Sequence, residues 1–140
     1  MLARVTFKRR RGDTDDTALE TVIVGLQRLF GIDADQIFRL TPEQHFDLLA
    51  DDESPDFGRD KVVLYAALCT EAAHIYTRQG NRAMARATFL TALRFMLKAR
   101  KRFSSEGMPD YAPDIGELRR HLADEPLDAG TAALLGEPVG

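Results

Sequence analysis

The sequence predicts an all-α protein, a bundle of about six helices built around one helix-turn-helix. Three observations carry that prediction. Apolar residues recur at helical spacing from Leu19 onward. Helix-starting and helix-stopping residues punctuate them, notably Thr41-Pro42 and Gly80-Asn81. Strand-like alternation is confined to residues 1–7, and a lone strand has nothing to pair with.

The first helix is expected to begin near Thr17, where Thr17 and Glu20 have capping-box spacing. It carries Leu19, Val22, Ile23, Leu26, Leu29 and Phe30 to a left-handed exit at Gly31. A short helical turn follows: Asp33 and Gln36 repeat the capping-box spacing, and Ile32 and Ile37 flank it as a hydrophobic staple. Thr41-Pro42-Glu43-Gln44 starts the next helix with a cap, a proline at the first helical position and a glutamine at the third. That helix carries Phe46, Leu48 and Leu49 and ends in DDESPDFG, residues 51–58, which reads as the clearest loop of the chain. From about Asp60 to Gln79 a long helix sets Val62, Tyr65, Leu68, Cys69, Ala72, Ile75 and Tyr76 on one face. Gly80-Asn81 breaks it. A second long helix, from about Arg82 to Phe103, buries Ala85, Phe89, Ala92, Phe95, Met96 and Ala99. Beyond the loop SSEGMPDYAP, two short helices centre on Ile115, Leu118 and Leu122 and on Leu134 and Leu135, with Pro126 between them.

A chain of 140 residues reads as one domain spanning 1–140, with residues 1–16 a flexible N-terminal segment and 136–140 a frayed tail. Its 44% hydrophobic and 29% charged content are those of a soluble globular protein. A net charge of -3 gives no global attraction to nucleic acid or an anionic membrane. Cys69 is the only cysteine, which excludes an internal disulfide and fits a reducing compartment. The basic N-terminus is not followed by a signal-peptide core, and no run of about 18 apolar residues is present to span a bilayer. The expected location is cytoplasmic, with no membrane partner.

Within the long helices, Tyr76, Gly80, Ala85, Phe89 and Ala92 fall in register with the later positions of the tetratricopeptide repeat. Residues 60–103 therefore resemble a single such repeat, a helix-turn-helix of about 34 residues whose small side chains let two helices pack closely. The match is partial. The family's early Trp, Leu and Gly positions fall on Cys69, Ala72 and Ala73, and its closing proline position on Leu97, so the second helix is expected to run past the usual stop. Shifting the pattern by one repeat reaches Pro42 upstream and Asp110 downstream, and neither fits. One unit cannot bury both its faces, so the other helices are expected to stand where neighbouring repeats would. The wider layout resembles a group of small uncharacterised bacterial helical proteins with a leucine-rich GLD…LSPEELLxLL segment, here GIDADQIFRLTPEQHFDLL, ahead of a terminal repeat-like hairpin. That resemblance implies a fold and no particular activity.

Candidate chemistry is sparse. His45, His74 and His121 include no pair at the i, i+4 spacing of a zinc helix, and His74 has only Glu71 beside it on its helical face. Cys69 lies mid-helix between apolar neighbours and reads as a small core residue. Gly80-Asn81 is a lone glycine turn rather than a phosphate-cradling loop, and the carboxylates of DTDD and DDESPD lack the alternation of a calcium loop. No catalytic residue, metal site or cofactor is expected. Two basic stretches remain. Arg94, Lys98, Arg100, Lys101 and Arg102 suit a helix C-terminus electrostatically, whereas Lys8, Arg9, Arg10 and Arg11 precede any helix.

The expected function is a non-catalytic protein-interaction or scaffolding module. Leu90, Leu93 and Leu97 flank the packing stripe of the second long helix and widen its apolar arc. Two coverings fit that arc: the first helix (Leu19, Val22, Ile23, Leu26) or the short C-terminal helices of the same chain, and a second copy in a homodimer, the slightly favoured expectation. The alternative is a nucleic-acid-associated or regulatory protein acting through Lys8–Arg11 and Arg94–Arg102, although no aromatic interleaves either run as a stacking platform would. An enzyme ranks third, because it requires the fold to gather a histidine and carboxylates that are scattered along the chain.

Overall fold

A computed structural model of the chain describes residues 15–136, which form seven α-helices and no strand. They are α1 (Asp15–Phe30), α2 (Ala34–Arg39), α3 (Pro42–Ala50), α4 (Pro55–Arg78), α5 (Arg82–Arg102), α6 (Ile115–His121) and α7 (Ala129–Leu135). The all-α class holds; the count is one above that expected, because residues 34–39 form a helix of their own. The strand-like stretch 1–7 and the basic residues Lys8–Arg11 lie outside the described residues.

Local signals place most boundaries. At α3 the capping box is complete: the Gln44 amide donates to Thr41 Oγ1 at 3.1 Å, and the Thr41 amide donates to Gln44 Oε1 at 2.8 Å. At α2 the Gln36 side chain accepts from the Asp33 amide at 3.3 Å. Gly31 and Gly80 have φ of 71° and 76°. Between α4 and α5 the Asn81 amide returns to the Tyr76 carbonyl (2.9 Å) and the Gly80 amide to the Thr77 carbonyl (3.1 Å). This is the paired 6→1 and 5→2 closure of a Schellman turn, which needs a left-handed residue at Gly80.

One boundary differs. Residues 51–58 are not all loop, for α4 begins at Pro55, with Ser54 capping the Phe57 amide at 3.4 Å. The acidic, proline-containing stretch is a cap followed by proline at the first helical position, as at Thr41-Pro42. Gly58 then sits where α4 crosses the end of α3: a Cβ there would fall 2.5 Å from the Ala50 carbonyl oxygen. Glycine allows that crossing.

The α4–α5 hairpin is the axis of the molecule. Helices α1 and α3 pack against α4, α6 and α7 pack against α5, and α2 rests on α1. Ala66, Ala73, Ala85, Ala92 and Ala99 are buried in the common core with Phe89, Phe95 and Met96. A smaller cluster joins Ala18 and Val22 of α1 to Leu68, Ala72 and Ile75 of α4. Helix α5 is therefore enclosed on most of its circumference, and this corrects the reading of its leucines. Leu93 and Leu97 are 0% exposed and Leu90 is half-buried. The wide apolar arc is covered by other helices of the same chain, so Leu93 and Leu97 present no face to a second copy.

Candidate functional site

Only part of the surface of α5 remains accessible, and there a groove of about 280 Å³ opens between three elements. Leu90, Thr91, Arg94, Phe95 and Lys98 of α5 form one side, Pro42 and Glu43 at the start of α3 the other, and Asp128 closes one edge. The spacing explains the lining, because residues 91, 94, 95 and 98 repeat at three and four positions and share a helical face. The floor is apolar, made by the ring of buried Phe95 and by Leu90, the one residue of the expected leucine triad with solvent access.

The charges around the groove differ in how they are held. Arg94 donates to Asp128 (3.3 Å) and to Thr131 Oγ1 (3.1 Å), and Asp128 also caps α7 by accepting from the Thr131 amide and hydroxyl. Those bonds from Thr131, reinforced by Arg94, hold the Asp128 carboxyl below its ordinary value against the opposing effect of burial. Arg94 is thus a strut between α5 and α7. Lys98 differs: its Nζ lies 4.2 Å from the centroid of the Phe46 ring. Arg102 lies over the same ring at 6.0 Å, and Lys101 Nζ reaches the Ala133 carbonyl at 3.4 Å. Among the described residues, Lys98, Arg100, Lys101 and Arg102 have no carboxylate within ion-pair distance. Arg86, on the same helix, is held by Asp124 and Glu125 and by the Leu122 carbonyl.

The histidines occupy two unrelated places. His45 is buried; its Nε2 lies 2.6 Å from the Ile37 carbonyl and its Nδ1 2.8 Å from the Tyr65 hydroxyl. A carbonyl can only accept, so Nε2 carries the proton and Nδ1 accepts from Tyr65. Tyr65 stacks on Phe95 at 4.3 Å, and burial pushes its hydroxyl far above the ordinary value. Cys69, beside Tyr65, is free and buried, its thiol pushed up to about 12 by desolvation. This is a satisfied polar bridge locking α2, α3 and α4 together, and nothing in it is open to a substrate. The sequence showed each residue but not their meeting, which joins positions far apart in the chain.

The second place is the far end of α5, where the fold brings His74 and His121 together. Their ring centroids are 5.1 Å apart, with His121 stacked on Phe89 at 4.3 Å and His74 edge-on to the same ring. The contact docks α6 onto the hairpin. Among the described residues, no three His, Cys, Asp or Glu side chains converge to hold a metal ion, and no helix is long and apolar enough to cross a membrane.

The repeat-like positions all lie at the hairpin: Ala85, Phe89 and Ala92 are buried, Tyr76 is half-buried, and Gly80 makes the turn. No family model matches the chain, and no curated protein or solved structure matches it.

Proposed function

We propose that this protein is a non-catalytic protein-interaction module that takes a peptide segment of its partner in the α5 groove. The groove carries the reading: half-buried Leu90, backed by buried Phe95, makes an apolar floor edged by polar groups, which matches what a short segment with one apolar anchor requires. The hairpin, in this reading, is a single tetratricopeptide-like unit with α1, α6 and α7 standing where neighbouring repeats would. An enzyme fits less well, since His45, Tyr65 and Cys69 are buried and the His74–His121 pair stacks on an aromatic ring.

Selection of displayed random peptides on the folded protein tests the reading. Enriched peptides are expected to bind the wild type and to lose at least tenfold in affinity for Thr91→Arg, which fills the groove from a half-buried wall position. Equal binding by a Thr91→Arg variant of unchanged melting temperature counts against it, as does a selection that enriches nothing.

A nucleic-acid reading draws on one specific observation: Lys98, Arg100, Lys101 and Arg102 at the end of α5 have no carboxylate partner among the described residues. It expects retention of a labelled oligonucleotide that weakens steeply with salt. A gel shift at near-physiological salt with no retarded band removes it.

A further inference from the structure

Resting on the peptide-groove reading, we infer that the segment the groove takes is acidic: an apolar residue seated on Leu90 and Phe95, followed by carboxylates that run toward Lys98, Lys101 and Arg102. The argument is charge complementarity along one helix. Cations on α5 divide into two sets. Arg82, Arg86 and Arg94 are paired within the chain with Asp124, Glu125 and Asp128. Lys98, Lys101 and Arg102 follow at spacings of three and four on the continuation of the groove face, with no carboxylate partner among the described residues. A chain with 22 acidic and 19 basic side chains does not lack carboxylates to pair with them.

Glu43 is the carboxylate on the α3 side of the groove. It lines the groove three residues before Phe46 on α3, whereas Lys98 and Arg102 lie over the Phe46 ring itself. Glu43 and Lys98 thus share the groove lining, and Arg102 adds a second cation over the Phe46 ring. A flexible lysine above an aromatic ring is well placed to reach a carboxylate, and a charge-assisted hydrogen bond there is roughly twice as strong as a neutral one. A peptide is favoured over a nucleic acid because the seat centres on apolar, half-buried Leu90 and the Phe46 ring beneath Lys98 and Arg102 is buried at 4% exposure rather than presented for base stacking.

Fluorescence polarisation on the full chain tests this with three labelled peptides: a leucine followed by glutamates, the same leucine followed by glutamines, and serine followed by glutamates. The acidic leucine peptide is expected to bind at least tenfold more tightly than either control, with affinity falling as salt rises. Lys101→Glu, at an exposed position outside the groove lining, is expected to weaken it several-fold while leaving the glutamine peptide unchanged, and Lys98→Met to weaken it several-fold more than it weakens the glutamine peptide. Equal binding of the acidic and glutamine peptides, both lost in Thr91→Arg, overturns the acidic preference and leaves the groove reading standing. Binding of the serine peptide as tight as the leucine one, or displacement by a single-stranded oligonucleotide, overturns the inference through its apolar seat. Absence of binding by all three peptides overturns it as well, and the displayed-peptide selection then decides the groove reading separately.

Discussion

Tyr65 shows how one side chain can carry several structural duties that a linear reading assigns to none. Its ring stacks on Phe95 and meets the Phe30 ring edge-on, while its hydroxyl supplies the proton that buried His45 accepts. Tyr65→Phe keeps the ring and leaves His45 Nδ1 without a donor, so it is expected to cost about 1–3 kcal/mol, the penalty of an orphaned buried polar atom. Urea denaturation midpoints of the two proteins measure it, and coincident curves would mean that the bond contributes nothing net. Cys69 next to it was legible in the sequence as a buried thiol, because it sits on the apolar face of a strongly periodic helix. With its thiol raised to about 12, it is expected to resist an alkylating reagent at about pH 8 in the native protein and to react in denaturant. Rapid modification without denaturant, followed by mass spectrometry, would contradict its burial. Gly58 was not legible. Its requirement comes from the Ala50 carbonyl, and a Cβ at 2.5 Å from backbone oxygen forces α3 away, so Gly58→Ala is expected to destabilise by about 1–3 kcal/mol despite its better helix propensity.

Elements were legible where a cap, a period and a stop coincide. Thr41-Pro42 with Gln44, and Gly80-Asn81, each combine such signals, and both boundaries stand where the residues placed them. The beginning of α4 was missed because Asp, Glu, Ser and Pro serve equally as loop formers and as the first turn of a helix; what decides is whether the following face is buried, and Gly58 and Arg59 are. Long-range tethers left no sequence signal at all. Arg59, 4% exposed, donates to the carbonyls of Ser104, Glu106 and Gly107 and pairs with Asp60, fastening the loop after α5 to the start of α4. At α7, Asp128 is the corresponding tether, and its effect depends on pH. Its carboxyl is held below the ordinary 3.8, chiefly by the Thr131 hydroxyl, so the folded chain binds that proton less readily than the unfolded one. The resulting stability is complete above the unfolded value and disappears as pH falls through the folded one. Asp128→Asn keeps a capping residue and removes the charge. Wild type is therefore expected to exceed the variant in melting temperature by a constant amount near pH 7, and the gap is expected to close below about pH 4. A gap that persists undiminished at about pH 3 would place its origin elsewhere.

At the scale of the whole molecule, the two long amphipathic helices predicted the hairpin, but the width of the α5 arc did not say what covers it. A second copy and the chain's own short helices leave the same pattern in sequence, since both remove apolar surface from water at the same gain per unit area. The residues that distinguish them are Leu118 and Leu122 of the α6 segment, both 1% exposed in the core with Leu93 and Leu97. Short helices of about seven residues give weak periodic signals, and their docking depends on tethers such as Arg86 to the Leu122 carbonyl and Arg94 to Asp128, which span 36 and 34 residues. The chain covering its own leucines is expected to be a monomer: light scattering at micromolar concentration should return 15.6 kDa, the mass of one chain, independent of concentration. Leu97→Ala sharpens the test, because a core leucine and an interface leucine respond differently to truncation. From the core, the loss is about 2–5 kcal/mol of unfolding free energy at any protein concentration. From an interface, the melting temperature of the wild type would rise with concentration, and the variant would shift the mass toward the monomer. A wild-type mass that climbs toward twice 15.6 kDa and falls back in Leu97→Ala would require the helices around α5 to open and admit a second chain.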